Sequence, residues 1–319
     1  MAAFEAMEEN QNRRPVIRGP GTDPSLSDEQ LMERRHDAVR QAADRLIDAA
    51  VHRVPCAPVR DLIGSADAAT AYAVQRTVNA ARPGRRPVGR KIGLTTPVAQ
   101  TRVGVDHPDY GVLLADMQVP DKAAIPMERL LQPLVEAEIA FVLGRDLARG
   151  GAVITPELVR DAVDHVVVAL EIADSRIADW DITLADTVAD NASAGLFVLG
   201  TTRIPLSGLE PRDTTMTLLV DDGTVAAGIG SDCLGDPLNA LTWLARTAYE
   251  HGEPLRAGDI VLSGALAVAR LSAGHSVEAR FATTDGRPLG TVAAHTHPDP
   301  NPDTDPDPNP DPDPDPPRR

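Results

Sequence analysis

The chain has 319 residues, enough for one large domain or two small ones with a sizeable core. Hydrophobic residues make up 42% and aromatic residues only 3%, so the core must rest on Ala, Val, Leu and Ile. A formal net charge of −16 argues against the basic patches that nucleic acid or an anionic membrane requires, and two cysteines, Cys56 and Cys233, argue against a disulfide framework or a zinc cluster.

Residues 1–27 are polar and broken by Pro15, Gly19, Pro20, Gly21 and Pro24, which reads as a flexible N-terminal extension. Residues 1–10 are acidic and carry no apolar signal-peptide core. No run reaches the ~18 apolar residues of a membrane helix. With so few cysteines, a reducing cytoplasmic location is expected. Ser27 and Gln30 can form a capping box for a first helix, whose apolar pattern continues through Val39, Ala43, Leu46, Ile47 and Ala50. After the proline-punctuated residues 54–59, Ser65 starts a second helix through Ala71, Tyr72, Val74, Gln75 and Val78. Pro83-Gly84 ends it.

From Val88 onward the texture is of short strands separated by Gly and Pro: residues 88–94, 110–114 and 135–143. Residues 155–163 read as a helix with Pro156 at its first position, leading into a buried strand over 166–170 that Glu171 closes. Further strands are expected over 196–199, 215–220, 259–262 and 277–281, with a helix over 238–251 after Pro237. Gly228-Ile229-Gly230 lacks the third glycine of a dinucleotide loop and reads as a turn. Strands and helices do not alternate regularly, so the fold class is α+β and not a doubly wound sheet. From Pro298 the chain is nearly all Pro, Asp and Asn, with seven Asp and two Arg, a solvated spacer of polyproline type. The expected organisation is therefore an extension over 1–27, one catalytic domain over 28–295 and a disordered tail over 296–319.

The chemistry centres on Val135-Glu136-Ala137-Glu138-Ile139-Ala140-Phe141. On a strand, Ala137, Ile139 and Phe141 share one apolar face and the two glutamates share the other. Either water covers that second face or a cation sits between the carboxylates. Glu171 beside a second apolar strand favours the cation, because a charge on a buried strand calls for a partner. Three carboxylates suit a hard ion, Mg²⁺ or Mn²⁺, and leave about three of its six positions open to a chelating 2-oxo or 2-enol carboxylate. Lys91 lies between glycines in Gly89-Arg90-Lys91-Ile92-Gly93-Leu94-Thr95, and Lys122 is the only other lysine. An ordinary surface lysine is one reading. An amine with a lowered pKa beside a bound substrate is the other. Two polar stretches, residues 105–111 and 186–193, read either as plain loops or as site-forming loops. His165, beside a strand, reads as structural. No phosphate-binding loop or Gly-x-Ser-x-Gly elbow is present.

These segments, together with Gly104-Val105-Asp106-His107-Pro108-Asp109-Tyr110-Gly111, Asp116-Met117, Leu170-Glu171-Ile172-Ala173-Asp174-Ser175-Arg176 and Asp186-Thr187-Val188-Ala189-Asp190-Asn191, resemble the 2-keto-4-pentenoate (2-hydroxypenta-2,4-dienoate) hydratases of the fumarylacetoacetate hydrolase superfamily. The resemblance covers roughly residues 38–294. It implies a β-rich α+β fold with a rolled mixed sheet, and Mg²⁺ or Mn²⁺ on Glu136, Glu138 and Glu171. It puts Lys91 and Asp109 in catalytic roles and Ser193 and Ser263 around the substrate. It also implies a homo-oligomer, pentameric or decameric, and a pathway aldolase or decarboxylase as a possible partner. The implied reaction is hydration of 2-hydroxypenta-2,4-dienoate to 4-hydroxy-2-oxopentanoate, with Lys91 binding carboxylate and moving a proton and Asp109 orienting or deprotonating the water. The alternatives are a 4-oxalocrotonate-type decarboxylase, a hydratase of dicarboxylic dienoates, and a metal-binding scaffold partner without catalysis.

Overall fold

The computed structural model of the chain describes residues 27–82, 86–147 and 153–298. The extension before Ser27, the Pro83-Gly84 helix stop and most of the Asp/Pro tail lie outside these residues. Helix α1 spans Asp28–His52, and its Ser27–Gln30 capping box is formed in both directions. After a single turn α2, Arg60–Ile63, helix α3 spans Ala68–Ala80. Its cap is Asp67 and not the neighbourhood of Ser65, because the Asp67 carboxylate accepts the Thr70 amide. The expected α+β class holds. Strand β1 covers Pro87–Gly93, α4 covers Pro97–Val103 and β2 covers Asp109–Leu114. Two short strands follow, β3 at Gln118–Val119 and β4 at Ala124–Ile125.

The long strands come next: β5 at Pro133–Leu143 and, after helix α5 at Pro156–Ala162, β6 at Val163–Asp174. The second departs from the sequence expectation, since Glu171 lies inside β6 and does not close it. Ile172, Ala173 and Asp174 continue the ladder because the Glu171 charge has Lys91 2.9 Å away. Helix α6, Leu184–Ala189, occupies part of the stretch left open as a loop. Strands β7, Ala194–Leu199, β8, Thr214–Val220, and β9, Gly223–Ile229, follow. Gly228 and Ile229 therefore belong to a strand, where Gly228 pairs with Met216, and only Gly230 opens a turn. Helix α7 covers Pro237–Glu250, with Asp236 as its cap. Strands β10, Ile260–Leu262, β11, Ala267–Arg270, β12, Ser276–Thr283, and β13, Pro288–Thr296, complete the chain.

The first sheet is mixed and curled, in the order β2-β1-β10-β5-β6-β7-β3, with β11 also paired to β5. Most ladders are antiparallel, while β1–β10 and β3–β7 run parallel. The second sheet, β4-β13-β12-β8-β9, packs on the first where β13 and β12 meet β6. One face of β5 supplies Val135, Ala137, Ile139, Phe141 and Leu143 to a core that also takes Leu170 from β6, Val198 from β7 and Phe281 from β12. Helix α1 closes it with Leu46 and α3 with Val74. Burying side chains of this size stabilises by about 1.5–3 kcal/mol each, which leaves the opposite face of β5 free to carry polar groups.

Strand β5 has an uneven border. On one side β6 pairs along its whole length. On the other, β10 pairs with Ala140–Val142 and β11 with Leu134–Ala137 as two separate pieces. Residues 263–266 bridge the pieces and touch the ladder only at their ends, where Ser263 donates to the Ile139 carbonyl and Leu266 to that of Ala137. The break falls beside Glu138.

Candidate metal centre and active site

Antiparallel pairing sets Glu136 directly opposite Glu171, and the two-residue period of β5 brings Glu138 onto the same face. One oxygen of each of the three carboxylates lies within 4.8 Å of the others. Glu138 and Glu171 are fully buried, and Glu136 keeps partial exposure. The Gly264 amide, freed by the break between β10 and β11, donates to Oε2 of Glu138 over 2.8 Å. A side chain at position 264 would strike Thr95, and its φ of +118° favours glycine.

Lys91 comes from β1, two strands from β5. Its ammonium donates to the Ala192 carbonyl over 2.8 Å and forms an ion pair of 2.9 Å with Oε1 of Glu171. Apart from that ion pair, both oxygens of Glu171 and Oε1 of Glu138 have no hydrogen-bond partner among the described residues. Burial pushes the Glu136 carboxyl up to about 7, with the Glu171 charge adding to it. Burial and the same neighbour raise Glu138 well above the usual range. Glu171 is raised by burial against the pull of Lys91. A buried trio with unpaired oxygens and one ammonium is short of positive charge, and the donors are all hard oxygens. A divalent Mg²⁺ or Mn²⁺ fits this set.

Lys91 is buried, so the reading of it as an ordinary surface lysine does not hold. Burial works against its charge, but Glu171, Glu136, Asp109 and Glu138 together outweigh burial and raise its pKa. Asp109, at the start of β2, pairs in register with Gly93. A Cβ on Gly93 would lie 2.3 Å from Oδ1 of Asp109, so the glycine makes room for the carboxylate. Thr187 donates to the other oxygen over 3.2 Å. Burial raises the Asp109 carboxyl, and Lys91 and Thr187 pull it back.

The two serines also gather near this group. Ser263 follows β10 and adjoins Gly264, and Ser193 adjoins the Ala192 carbonyl that holds Lys91. Both hydroxyl oxygens are buried and have no hydrogen-bond partner among the described residues, which suits groups that await a ligand. Several residues of the arrangement were not singled out from sequence. They are Thr187, Gly264, Asn191, and the pair Arg176–Asp190. All but Gly264 lie within or directly beside the segments that carry the family resemblance, so motif context was the available signal. His165 contacts Asp164 and takes no part. A cavity of about 190 Å³ on the second sheet, lined by Lys122, Asp221, Glu278 and His295, shares no residue with the group.

Fold and site together define a protein with a trio of carboxylates on a curled mixed sheet, arranged to accept a divalent cation. A family model described as the C-terminal domain of fumarylacetoacetate (FAA) hydrolase matches residues 94–295, and the chain belongs to that family. The chain is 51% identical over 234 residues to the "TodF product hydratase" of Pseudomonas putida, covering 73% of this chain and 87% of the relative. To the 2-keto-4-pentenoate hydratase of Paraburkholderia xenovorans it is 51% identical over 229 residues, 71% and 84% of the two chains. Among solved structures, the 4-oxalocrotonate decarboxylase of Pseudomonas putida G7, complexed with magnesium and adipate, superposes with a TM-score of 0.75 at 27% identity, over 86% of this chain and all of that one.

Proposed function

We propose that this chain hydrates 2-hydroxypenta-2,4-dienoate (2-keto-4-pentenoate) to 4-hydroxy-2-oxopentanoate, in the breakdown of aromatic or related ring compounds, and that residues 28–295 form the catalytic unit. The relatives at about half identity carry the hydratase name. The observation that carries the reading is the charge inventory of the site. Among the described residues the buried cations are Lys91 and Arg176, and Arg176 is fully engaged with Asp190 and backbone carbonyls. A monocarboxylate finds its one ammonium in Lys91. Among the described residues no second unengaged buried cation meets the far carboxylate of a 4-oxalocrotonate-type substrate, which favours hydration of a monoacid over decarboxylation of a diacid.

Glu136, Glu138 and Glu171 hold Mg²⁺ or Mn²⁺, which when bound supplies Lewis-acid polarisation of the substrate's C2 oxygen. Lys91 binds the substrate carboxylate and lies where a proton can be passed. Ser193 and Ser263 offer unpaired hydroxyls to the remaining substrate oxygens. The dienol loses its 2-hydroxyl proton and gains one at C5, giving a conjugated 2-oxo-3-enoate. Asp109, held by Thr187, orients the water and accepts its proton as the hydroxyl bonds to C4, and a proton is delivered to C3. The sum is substrate plus one water. A homo-oligomer of five or ten copies accompanies this reading, as does a cytoplasmic location and docking with a pathway aldolase or decarboxylase. Exposed Val225 and Val268 on neighbouring strands β9 and β11 support a contact between copies, and no helix of the described residues is long and apolar enough to cross a membrane.

The test follows the loss of dienol ultraviolet absorbance on adding 2-hydroxypenta-2,4-dienoate, with and without chelator, and identifies the product by NMR. Metal-dependent formation of 4-hydroxy-2-oxopentanoate is expected. CO₂ release from 4-oxalocrotonate without hydration of the monoacid would overturn the proposal in favour of the decarboxylase.

A further inference from the structure

Asn191–Ser193 is the least relaxed piece of backbone near the site. Three consecutive non-glycine residues, Asn191, Ala192 and Ser193, have φ of 57°, 52° and 54°. Each left-handed L-residue costs about 1–2 kcal/mol, so such a run persists only where the surroundings hold it. The turn presents two groups to the site, the Ala192 carbonyl that accepts from Lys91 and the unpaired hydroxyl of Ser193.

The holding groups are identifiable. The Asn191 side chain is pinned to β2, accepting from the Val112 amide over 2.8 Å and donating to its carbonyl over 2.9 Å. The carbonyls on either side of the turn, those of Asp190 and Ala194, both accept from the buried guanidinium of Arg176, the second over 3.0 Å. Arg176 also donates to the Asp174 carbonyl over 2.6 Å and to the Asp190 carboxylate through Nε. The second oxygen of Asp190 accepts the Arg176 amide over 2.9 Å and the Ser175 hydroxyl over 3.2 Å. One rigid fork thus ties the end of β6 to both ends of the strained turn. A lysine, with a single point of attachment, could not span the same acceptors.

We propose that Arg176, locked by Asp190, is a positioning residue for the proposed hydration: it clamps the 191–193 turn so that the Ala192 carbonyl fixes Lys91 and Ser193 stays beside it. The inference rests on the hydratase reading for its kinetic consequence but not for its structural one. The hydrogen-bond partners of Arg176 are Asp174, Asp190 and Ala194, and none belongs to the carboxylate trio. Its loss therefore loosens the amine while the metal ligands on β5 and β6 stay in place.

The experiment compares the full-length protein with Arg176→Lys and Arg176→Gly. Mn²⁺ affinity is read by electron paramagnetic resonance, and kcat and KM on the dienoate are measured alongside. Acylation of Lys91 by an amine reagent is followed by mass spectrometry, which the chain's two lysines make simple to read. In Arg176→Lys, Mn²⁺ affinity should stay within about twofold while kcat drops on the order of 10²-fold, the usual cost of misplacing a catalytic group by about 1 Å. Lys91 should become markedly more reactive. Added guanidinium should restore part of the activity of Arg176→Gly, and urea should not. A folded Arg176→Lys protein with unchanged kcat and unchanged Lys91 protection would overturn the proposal. So would a parallel fall of Mn²⁺ affinity and rate in both variants without guanidinium rescue. If the unsubstituted protein hydrates no dienoate, the reaction is refuted, while Lys91 protection still tests the clamp.

Discussion

Removing the divalent ion should make this protein's stability fall steeply as the pH rises. In the metal-free fold, burial and Glu171 push the Glu136 carboxyl from 4.5 up to about 7. In the unfolded chain the same group titrates near its ordinary value. Between those two values the folded protein holds a proton that the unfolded chain has released, so stability falls as the pH rises. The contribution is fully present below about pH 4.5 and is lost on passing through about pH 7. The shift of about 2.5 pH units corresponds to about 3 kcal/mol at roughly 1.4 kcal/mol per unit, and partial exposure of Glu136 trims this to about 2–3 kcal/mol. The raised Glu138 and Glu171 act with the same sign. At roughly 2–4 °C per kcal/mol for a chain of this size, the melting temperature should drop by about 5–10 °C between pH 5 and pH 8. Bound Mn²⁺ takes the place of the protons, so the loaded protein should show a much flatter dependence. The assay is a series of thermal melts across that range, in chelator and in excess Mn²⁺, for the unsubstituted protein and for Glu136→Gln. A stripped protein equally stable at pH 5 and pH 8, or a Glu136→Gln variant with an undiminished slope, would refute the reasoning.

Glu138→Gln and Glu171→Gln should each weaken Mn²⁺ binding by at least about 100-fold, since losing a ligand costs more than losing a supporting hydrogen bond, and titration calorimetry reads this directly. Gly93→Ala sets a methyl group 2.3 Å from Oδ1 of Asp109. It should lower kcat on the order of 10²-fold with Mn²⁺ affinity retained, and unchanged turnover would remove Asp109 from the mechanism. Thr187→Val deletes a hydrogen bond that pulls the Asp109 carboxyl down against burial. The acid limb of the pH–rate profile should move to higher pH, at a cost of about 1 kcal/mol in activation free energy.

Local patterning made much of the fold legible. Alternation located β1, β2, β5, β7, β8 and β12 to within a few residues, and the Ser27–Gln30 box began α1 where expected. Failures came where tertiary partners override local cues. Glu171 looked like a strand end because its compensating ammonium sits on β1, eighty residues earlier in the chain. Strand β9 was missed because Gly223, Ala226, Ala227 and Gly228 give little strand signal, and its pairing with β8 is what makes it one. Helix α6 hid in a polar stretch whose Asp186 is buried, accepting the amides of Val59, Arg60 and Thr183. For the site, residue types and spacing proposed the carboxylate trio, and the β5–β6 register brings it together. The pairing of Lys91 with Glu171 and the Arg176–Asp190 lock could not be read, because both depend on which strands lie side by side.

The break between β10 and β11 has a consequence for how this scaffold can vary. Each of the two short strands has its own register with β5, so residues 263–266 belong to neither ladder's interior. Gly264 is constrained by its positive φ, by Thr95 and by its bond to Glu138, and Ser263 and Leu266 on either side donate to β5 carbonyls. Ala265 is therefore the position of this link at which a substitution leaves both registers, and with them the three ligands, undisturbed. The ion-binding apparatus and the variable position lie a residue apart, so substrate preference can drift at Ala265 while the metal chemistry stays fixed.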